Sequence, residues 1–227
     1  VSENNSQYDV IVIGAGVAGL YQLFKLRQLK LKALVIEAGD NVGGTWYWNR
    51  YPGARFDSES WSYGYSFSKE LFEEWDWPEH FAAQPDTLRY LNYVADKFDF
   101  RRDIKFDRRV EACVFDQHNN LWTVRTNTKE EYVARFLITA LGPLSAFTLP
   151  NIEGRETFKG PAYHTARWPH EEVDFSGKRV GIIGTGACAI QTIQTIAKDV
   201  AHLTVFQRSP NWAAPLNNSV ITEDEQK

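Results

Sequence analysis

The run Gly14-Ala-Gly-Val-Ala-Gly19 sits between an apolar, β-branched stretch, Tyr8-Asp-Val-Ile-Val-Ile13, and a helical pattern with Leu20, Leu23, Phe24 and Leu26 on one side. Residues of these types at this spacing bind a pyrophosphate. Gly14 permits the tight turn, Gly16 lets the backbone approach the phosphates, and Gly19 lets the helix pack closely on the strand, with the helix N-terminus facing the anion. A glycine turn alone is weak evidence. Here the next apolar run, Ala33-Leu-Val-Ile36, ends in Glu37, at the distance where a carboxylate takes ribose hydroxyls, so the motif has its structural context.

The same arrangement returns late in the chain. Gly177-Lys-Arg-Val-Gly-Ile-Ile183 repeats the strand, and Gly184-Thr-Gly-Ala-Cys-Ala189 repeats the turn, with alanine in the third position that the motif allows. A helix is expected through Ile190, Ile193 and Ala197, then a strand over Leu203-Thr-Val-Phe206. Counted from the first glycine of each motif, Gln207 falls where Glu37 falls, and Arg208 follows it. Loss of the carboxylate and gain of a guanidinium is the change expected when the ribose carries a 2′-phosphate, with Lys178 and Ser209 as lesser candidates. One acidic and one basic ribose position imply two different dinucleotides. FAD in the first module and NADPH in the second is the economical assignment.

The elements between must position these turns. Gly43 to Asp57 has neither helical nor strand periodicity and is dense in aromatics, glycine and proline, so an ordered, ligand-lining loop is expected. Ser58 to His80 reads as loops and short turns. Pro85 to Phe98 reads as a helix burying Leu88, Leu91, Ala95 and Phe98. Val110 to Asp116, Leu121 to Thr126 and Tyr132 to Thr139 alternate as strands, with Gln117-His-Asn-Asn120 as a hairpin turn, and the last strand runs into Ala140-Leu-Gly142. Phe158 to Pro169 reads as a joint between the two modules. Gly160 and Pro161 fix a bend, His164 offers one donor and one acceptor, and Trp168-Pro169 gives a large flat surface ending in a turn.

Composition narrows the function classes. With 227 residues, 43% hydrophobic content and a formal charge of -4, the chain can bury a core in one or two soluble domains. No basic stripe points to nucleic acid, and no apolar run has the length of a membrane span. The first residues lack the features of a secretory signal, which makes a cytoplasmic address the expectation. Cys113 and Cys188 are the only cysteines and lie far apart, which excludes a disulfide framework and a C-x-x-C redox pair, and with it a disulfide reductase. The absence of Met, and an ending at Thr222-Glu-Asp-Glu-Gln-Lys227 that reads as the first turn of a helix, suggest a fragment.

Two longer patterns carry a resemblance. Phe158, Gly160, His164, Trp168 and Pro169 match F-x-G-x-x-x-H-x-x-x-W-P, and Gly44, Trp46, Tyr51, Pro52, Gly53 and Asp57 fit G-x-W-x-x-x-x-Y-P-G-x-x-x-D. In both the chain resembles the Baeyer–Villiger flavin monooxygenases, specifically the N-terminal part of the phenylacetone and cyclohexanone monooxygenase group. The resemblance implies an α/β, two-dinucleotide-binding-domain flavoprotein fold of tandem Rossmann-like modules, incomplete in this chain. It implies an FAD-binding domain over residues 1–142, a fingerprint-bearing linker over 143–175, the first part of an NADP-binding domain over 176–213, and the start of a further segment over 214–227.

The implied chemistry is reduction of FAD by NADPH, addition of O2 to give a flavin peroxide, and insertion of one oxygen beside a ketone carbonyl to give an ester or lactone. By the same resemblance Thr45, Trp46, Tyr47, Trp48, Tyr63 and Val110 join the glycines and Glu37 around FAD, and Thr185, Ala187, Ala189 and Gln191 join Gly184, Gly186, Arg208 and Ser209 around NADP. Asp57 lies near the flavin and helps position a catalytic arginine that has no counterpart here, and Arg55 faces the nicotinamide cofactor. The expected partners are a small ketone, O2 and the remaining polypeptide of the enzyme. The alternatives are a flavin monooxygenase oxidising nitrogen or sulfur, and a nucleotide-binding fragment without turnover.

Overall fold

The computed structural model describes residues 7–226, so Val1 to Ser6 and the end of the final expected helix at Lys227 lie outside the described residues. The chain divides into two compact units, Val1–Tyr47 with Leu88–Ala146, and Trp48–Thr87 with Phe147–Lys227. This division by compactness differs from the division by motif, because residues 48–87 group with the second half of the chain.

The first unit is built on a six-stranded sheet of order β3-β2-β1-β6-β5-β4. Its strands are β1 (Tyr8–Ile13), β2 (Ala33–Ile36), β3 (Ile104–Lys105), β4 (Val110–Asp116), β5 (Leu121–Thr126) and β6 (Glu131–Thr139). β1 runs parallel to β2 and β6, whereas β5 pairs antiparallel with β4, through the Gln117–Asn120 turn, and with β6. Val10, Ile11 and Val12 of β1 and Leu34, Val35 and Ile36 of β2 are all buried, the near-continuous burial of a parallel strand covered on both faces. Ile11, Leu34, Ile36, Val124, Tyr132 and Ala134 form one core cluster joining the parallel and antiparallel halves. The helix α1 (Val17–Gln28) buries Leu20, Leu23 and Leu26, each contributing about 1.5–3 kcal/mol, while Phe24 is half-buried. β1 has its sequence successor β2 on one side and the late strand β6 on the other, which makes the C-terminal end of β1 the switch point where open α/β sheets seat ligands.

Three sequence expectations need correction. The glycine- and aromatic-rich loop contains a helical turn, α2 (Thr45–Trp48), made possible by the positive φ of Gly43 and Gly44 just before it. The 58–80 stretch holds two short helices, α3 (Ser60–Tyr63) and α4 (Lys69–Glu74). The second is capped by Ser68, whose Oγ accepts the Leu71 N–H at 3.2 Å. The helix α5 (Gln84–Lys97) buries Thr87, Tyr90, Leu91, Val94 and Ala95, whereas Leu88 and Phe98 are only half-buried, so the expected stripe is rotated by about one position.

The second unit contains β7 (Arg179–Ile183), α6 (Ala187–Ile196) and β8 (His202–Phe206), with β7 and β8 in a two-stranded parallel sheet. The helix expected through Ile190, Ile193 and Ala197 is α6, which ends at Ile196. Thr192 and Ile196 are buried, Ile190 and Ile193 half-buried, and Ala197 exposed. The short α7 (Glu223–Gln226) follows Thr222, whose N–H and Oγ1–H both donate to Glu225 Oε2 at 2.8 Å. Among the described residues no helix is long and apolar enough to cross a membrane, and no group of His, Cys, Asp or Glu could hold a metal ion.

Candidate nucleotide-binding sites

The two glycine turns are the same piece of backbone built twice. Gly14 has φ +103 and its N–H donates to Ile36 O at 2.8 Å; Gly184 has φ +109 and its N–H donates to Phe206 O at 2.8 Å. Gly16 and Gly186 are the N-caps of α1 and α6, neither with a side-chain cap, and each accepts the first helical hydrogen bond at 3.0 Å, from Leu20 and from Ile190. Both strand pairs share a register, Ile13 opposite Ile36 and Ile183 opposite Phe206, so the residues that follow, Glu37 and Gln207, are structurally equivalent. The carboxylate-to-amide exchange read from the sequence is therefore an exchange at one position of one geometry.

In the first unit the turn is clamped from three sides. A Cβ on Gly19 would lie 1.8 Å from Gly14 O, one on Gly14 2.6 Å from Ala140 O, and one on Gly44 2.8 Å from Gly16 Cα. The crossing of Gly16 and Gly44 was not legible in the sequence, since it joins two motifs through bare backbone. Glu37 is buried, its Oε2 accepting from Ala15 N–H at 2.7 Å and its Oε1 from Gly39 N–H at 2.8 Å. A carboxylate has about four acceptor sites, so the two bonds fix its direction and leave capacity for ribose hydroxyls. Trp46 and Tyr47 are buried, the Tyr47 ring lying where a Cβ on Gly39 would come within 2.8 Å. Thr45 starts their helical turn, and Val110 packs against the core cluster at the start of β4.

In the second unit Thr185, Gly186, Ala187 and Ala189 form the turn and the first part of α6, and Arg208 and Ser209 follow β8 on the surface. Gln191 turns its carboxamide to the 51–55 loop. Tyr51 Oη–H donates to its Oε1 at 2.8 Å, and its Nε2 donates to Arg55 O at 2.9 Å. The Arg55 guanidinium is held by Glu79 Oε2 at 2.9 Å and Phe81 O at 3.1 Å. Asn218 Nδ2 braces that Glu79 oxygen at 2.8 Å, and no sequence pattern pointed to either residue. Tyr63 stacks on Phe56 at 4.4 Å, and the next residue, Asp57, is exposed.

The fingerprint segment is held by its own rings and by Phe147 and Trp48 outside it. Phe158 is exposed, with its ring over Gly160, where a Cβ would meet it at 2.6 Å. His164 Nδ1 accepts the Ala166 N–H at 3.1 Å and its ring tilts on Phe147 at 4.6 Å. Arg167, absent from the sequence reading, places its guanidinium 5.1 Å from the Trp48 ring and 5.1 Å from the Phe147 ring, and Trp168-Pro169 follows, the indole against Tyr163 at 5.3 Å.

Burial pushes the Tyr51 hydroxyl pKa far above its usual value of 10.0, and the neighbouring Cys188 thiol and Asp57 charge push the same way. The folded state therefore favours the neutral phenol, whose contribution is complete below pH 10.0 and is lost as pH rises beyond it, because the unfolded chain releases that proton first. Thermal-unfolding midpoints measured from about pH 8 to 11 should fall steeply at the alkaline end, and less steeply in Tyr51→Phe. Equal slopes for the two proteins would contradict this.

A family model described as "Pyridine nucleotide-disulphide oxidoreductase" matches residues 11–222. The chain is 49% identical over 217 residues to acetone monooxygenase (methyl acetate-forming) from Gordonia sp. (strain TY-5), covering 96% of this chain and 41% of that protein. It is 46% identical to a Baeyer-Villiger monooxygenase from Pseudooceanicola batsensis, covering 94% of this chain and 39% of that one. It is 44% identical to phenazine N-monooxygenase PhzNO1 from Lysobacter antibioticus, with coverage of 98% and 41%. A solved structure of OTEMO in complex with FAD and NADP superposes with a TM-score of 0.93 at 49% identity, over 98% of this chain and 43% of that one. The chain thus spans about two fifths of the length of the relatives it matches.

Proposed function

Because the chain belongs to the pyridine nucleotide-disulphide oxidoreductase family, we propose that its two turns are the FAD and NADPH seats of a monooxygenase that inserts one oxygen from O2 beside a ketone carbonyl, giving an ester or lactone. The observation that carries this reading is the duplicated glycine turn with Glu37 after one strand pair and Gln207-Arg208 after the other. Relatives named for acetone oxidation to methyl acetate and for Baeyer–Villiger oxidation support the reaction class. Family membership does not bring disulfide chemistry with it, since Cys113 and Cys188 are both free and separated by most of a nucleotide module.

Bound FAD would supply the redox centre and the site of oxygen activation, and NADPH the hydride. The chain's own part is binding and orientation. The α1 N-terminus and Gly14, Gly16 and Gly19 receive the FAD pyrophosphate, and Glu37 the ribose hydroxyls. Gly44 to Trp48, Tyr63 and Val110 complete that module's contacts by resemblance. Gly184 to Ala187 and Ala189 receive the NADP pyrophosphate, and Arg208 with Ser209 the 2′-phosphate. By resemblance Arg55 would face the nicotinamide cofactor, and Asp57 would lie near the flavin and help position a catalytic arginine of the remaining polypeptide. The motif boundaries 1–142, 143–175, 176–213 and 214–227 are proposed as the functional division, with Phe158, Gly160, His164, Trp168 and Pro169 as the joint. Ile183, Val205 and Phe206 are exposed on the two-stranded sheet, which supports further polypeptide of the same enzyme completing it. The proposed setting is the cytoplasm.

Purified full-length protein should hold FAD and, given NADPH, air and a simple cyclic ketone, form the lactone with one NADPH consumed per product. Failure to bind FAD, or turnover of nitrogen heteroaromatics with none of ketones, would overturn the reading. The second outcome is the alternative favoured by the phenazine N-monooxygenase relative.

Arg208→Ala should erode the preference for NADPH over NADH, read as the ratio of kcat/KM values, by roughly ten- to a hundredfold. That is the worth of about 1.5–3 kcal/mol for one charge-assisted pair. FAD content should not change. Full retention of the preference would move the phosphate contact to Lys178 or Ser209.

A further inference from the structure

We infer that Gln191 is a positioning residue, a carboxamide latch through which nucleotide bound at the second glycine turn is felt at Arg55; the inference rests on the proposed assignment of that turn to NADP. The latch lies within one compact unit, on one face of one helix. Cys188, Gln191 and Thr195 are spaced at i, i+3 and i+7 along α6, and the face they share receives the Tyr51–Arg55 loop through Gln191 and Thr195. Gln191 Oε1 accepts from Tyr51 Oη–H at 2.8 Å and from Arg55 N–H at 3.4 Å, and its Nε2 donates to Arg55 O at 2.9 Å. Thr195 Oγ1 lies 2.2 Å from where a Cβ on Gly53 would be, and Gly53 has φ +79, so the loop can lie this close to the helix only with glycine at its bend.

Only an amide fits this geometry. Both backbone groups of Arg55 are satisfied by one side chain that donates and accepts at once, as a neighbouring strand would do. A carboxylate could not donate to Arg55 O, and an apolar side chain could do neither. The backbone of Arg55 is thus set by α6, while its guanidinium is set separately by Glu79 and Phe81 O. Since α6 begins at Gly186 and is rigid through Gln191, settling of its N-terminus on a pyrophosphate is transmitted to the loop that also carries Asp57.

The test is hydrogen exchange by mass spectrometry on the full-length, FAD-loaded protein with and without NADP+. In the parent protein NADP+ should slow exchange at Gly184–Ala187 and also at Tyr51–Asp57, the latter by about tenfold, the size of one net hydrogen bond. In Gln191→Leu, with NADP+ raised until the turn is protected as in the parent, the loop should no longer respond. Tyr51→Phe, which removes one of the latch's hydrogen bonds and leaves Gln191 in place, should respond less than the parent and carries the test if Gln191→Leu does not fold. A loop that responds equally in the parent and in the variant tested, or that ignores NADP+ in the parent while the turn responds, overturns the latch. If the parent's turn itself does not respond, the NADP assignment fails and the latch with it.

Discussion

Gly19→Ala should cost the protein its FAD. The new Cβ would lie 1.8 Å from Gly14 O and 2.9 Å from Gly14 C, which are backbone atoms of the turn itself and have no rotamer to escape into. Gly14 cannot retreat, because its N–H is bonded to Ile36 O at 2.8 Å and its own Cβ position already faces Ala140 O at 2.6 Å. Relief therefore requires α1 to lift from β1, disturbing the burial of Leu20, Leu23 and Leu26. The penalty should reach or pass the ~3 kcal/mol upper end for overpacking, equivalent to more than about a hundredfold in FAD affinity. Flavin absorbance per protein after gel filtration and the unfolding midpoint both report it. Gly142→Ala is the control, since a Cβ there meets nothing within 4 Å; its φ of +74 should cost only roughly 1–2 kcal/mol and leave FAD in place. Full FAD occupancy in Gly19→Ala would show that the turn is not the seat.

Asp57→Ala should slow oxygen insertion on the order of a hundredfold, the size of effect a small misplacement of reacting groups produces, while leaving the fold intact. The preceding Phe56 is buried, stacked on Tyr63 at 4.4 Å and edge-on to Trp77 at 5.8 Å, and these contacts present Asp57 on the surface of its unit. A buried ion pair would cost about 3–5 kcal/mol to break, but an exposed carboxylate should cost no more than about 0.5 kcal/mol. Stability and catalysis therefore separate. The variant should keep its FAD and its unfolding midpoint, and should turn NADPH consumption toward hydrogen peroxide at the expense of ester. A variant that unfolds or loses FAD while its folded fraction oxidises ketones at the normal rate would leave Asp57 a structural residue.

The strands and glycine turns were legible in the sequence because their signals are local. β4 and β5 begin and end where alternation and the Gln117–Asn120 turn place them, and β6 starts only one residue earlier than read. Glu37 and Gln207 were placed by counting from a glycine, and the shared strand register gives the same equivalence. Helix faces were legible in part, because their partners are remote in sequence. α6 was read only as a helix through Ile190, Ile193 and Ala197, and it is the face carrying Gln191 and Thr195 that receives the Tyr51–Arg55 loop, where hydrogen bonding and a missing Cβ replace apolar burial. The same holds for Glu79, Asn218 and Arg167, ordinary polar residues whose roles appear only once the chain brings Arg55, Phe147 and Trp48 to them.

The central claim, oxygen insertion into a ketone driven by two nucleotides, is tested most directly by supplying the full-length protein with NADPH, a simple ketone and oxygen-18 gas, and analysing the product by mass spectrometry. The account predicts an ester or lactone carrying a single heavy oxygen from the gas, formed one for one with NADPH oxidised. Recovery of the ketone unchanged with NADPH converted wholly to hydrogen peroxide, or heavy oxygen found only on an added nitrogen or sulfur substrate, would contradict it.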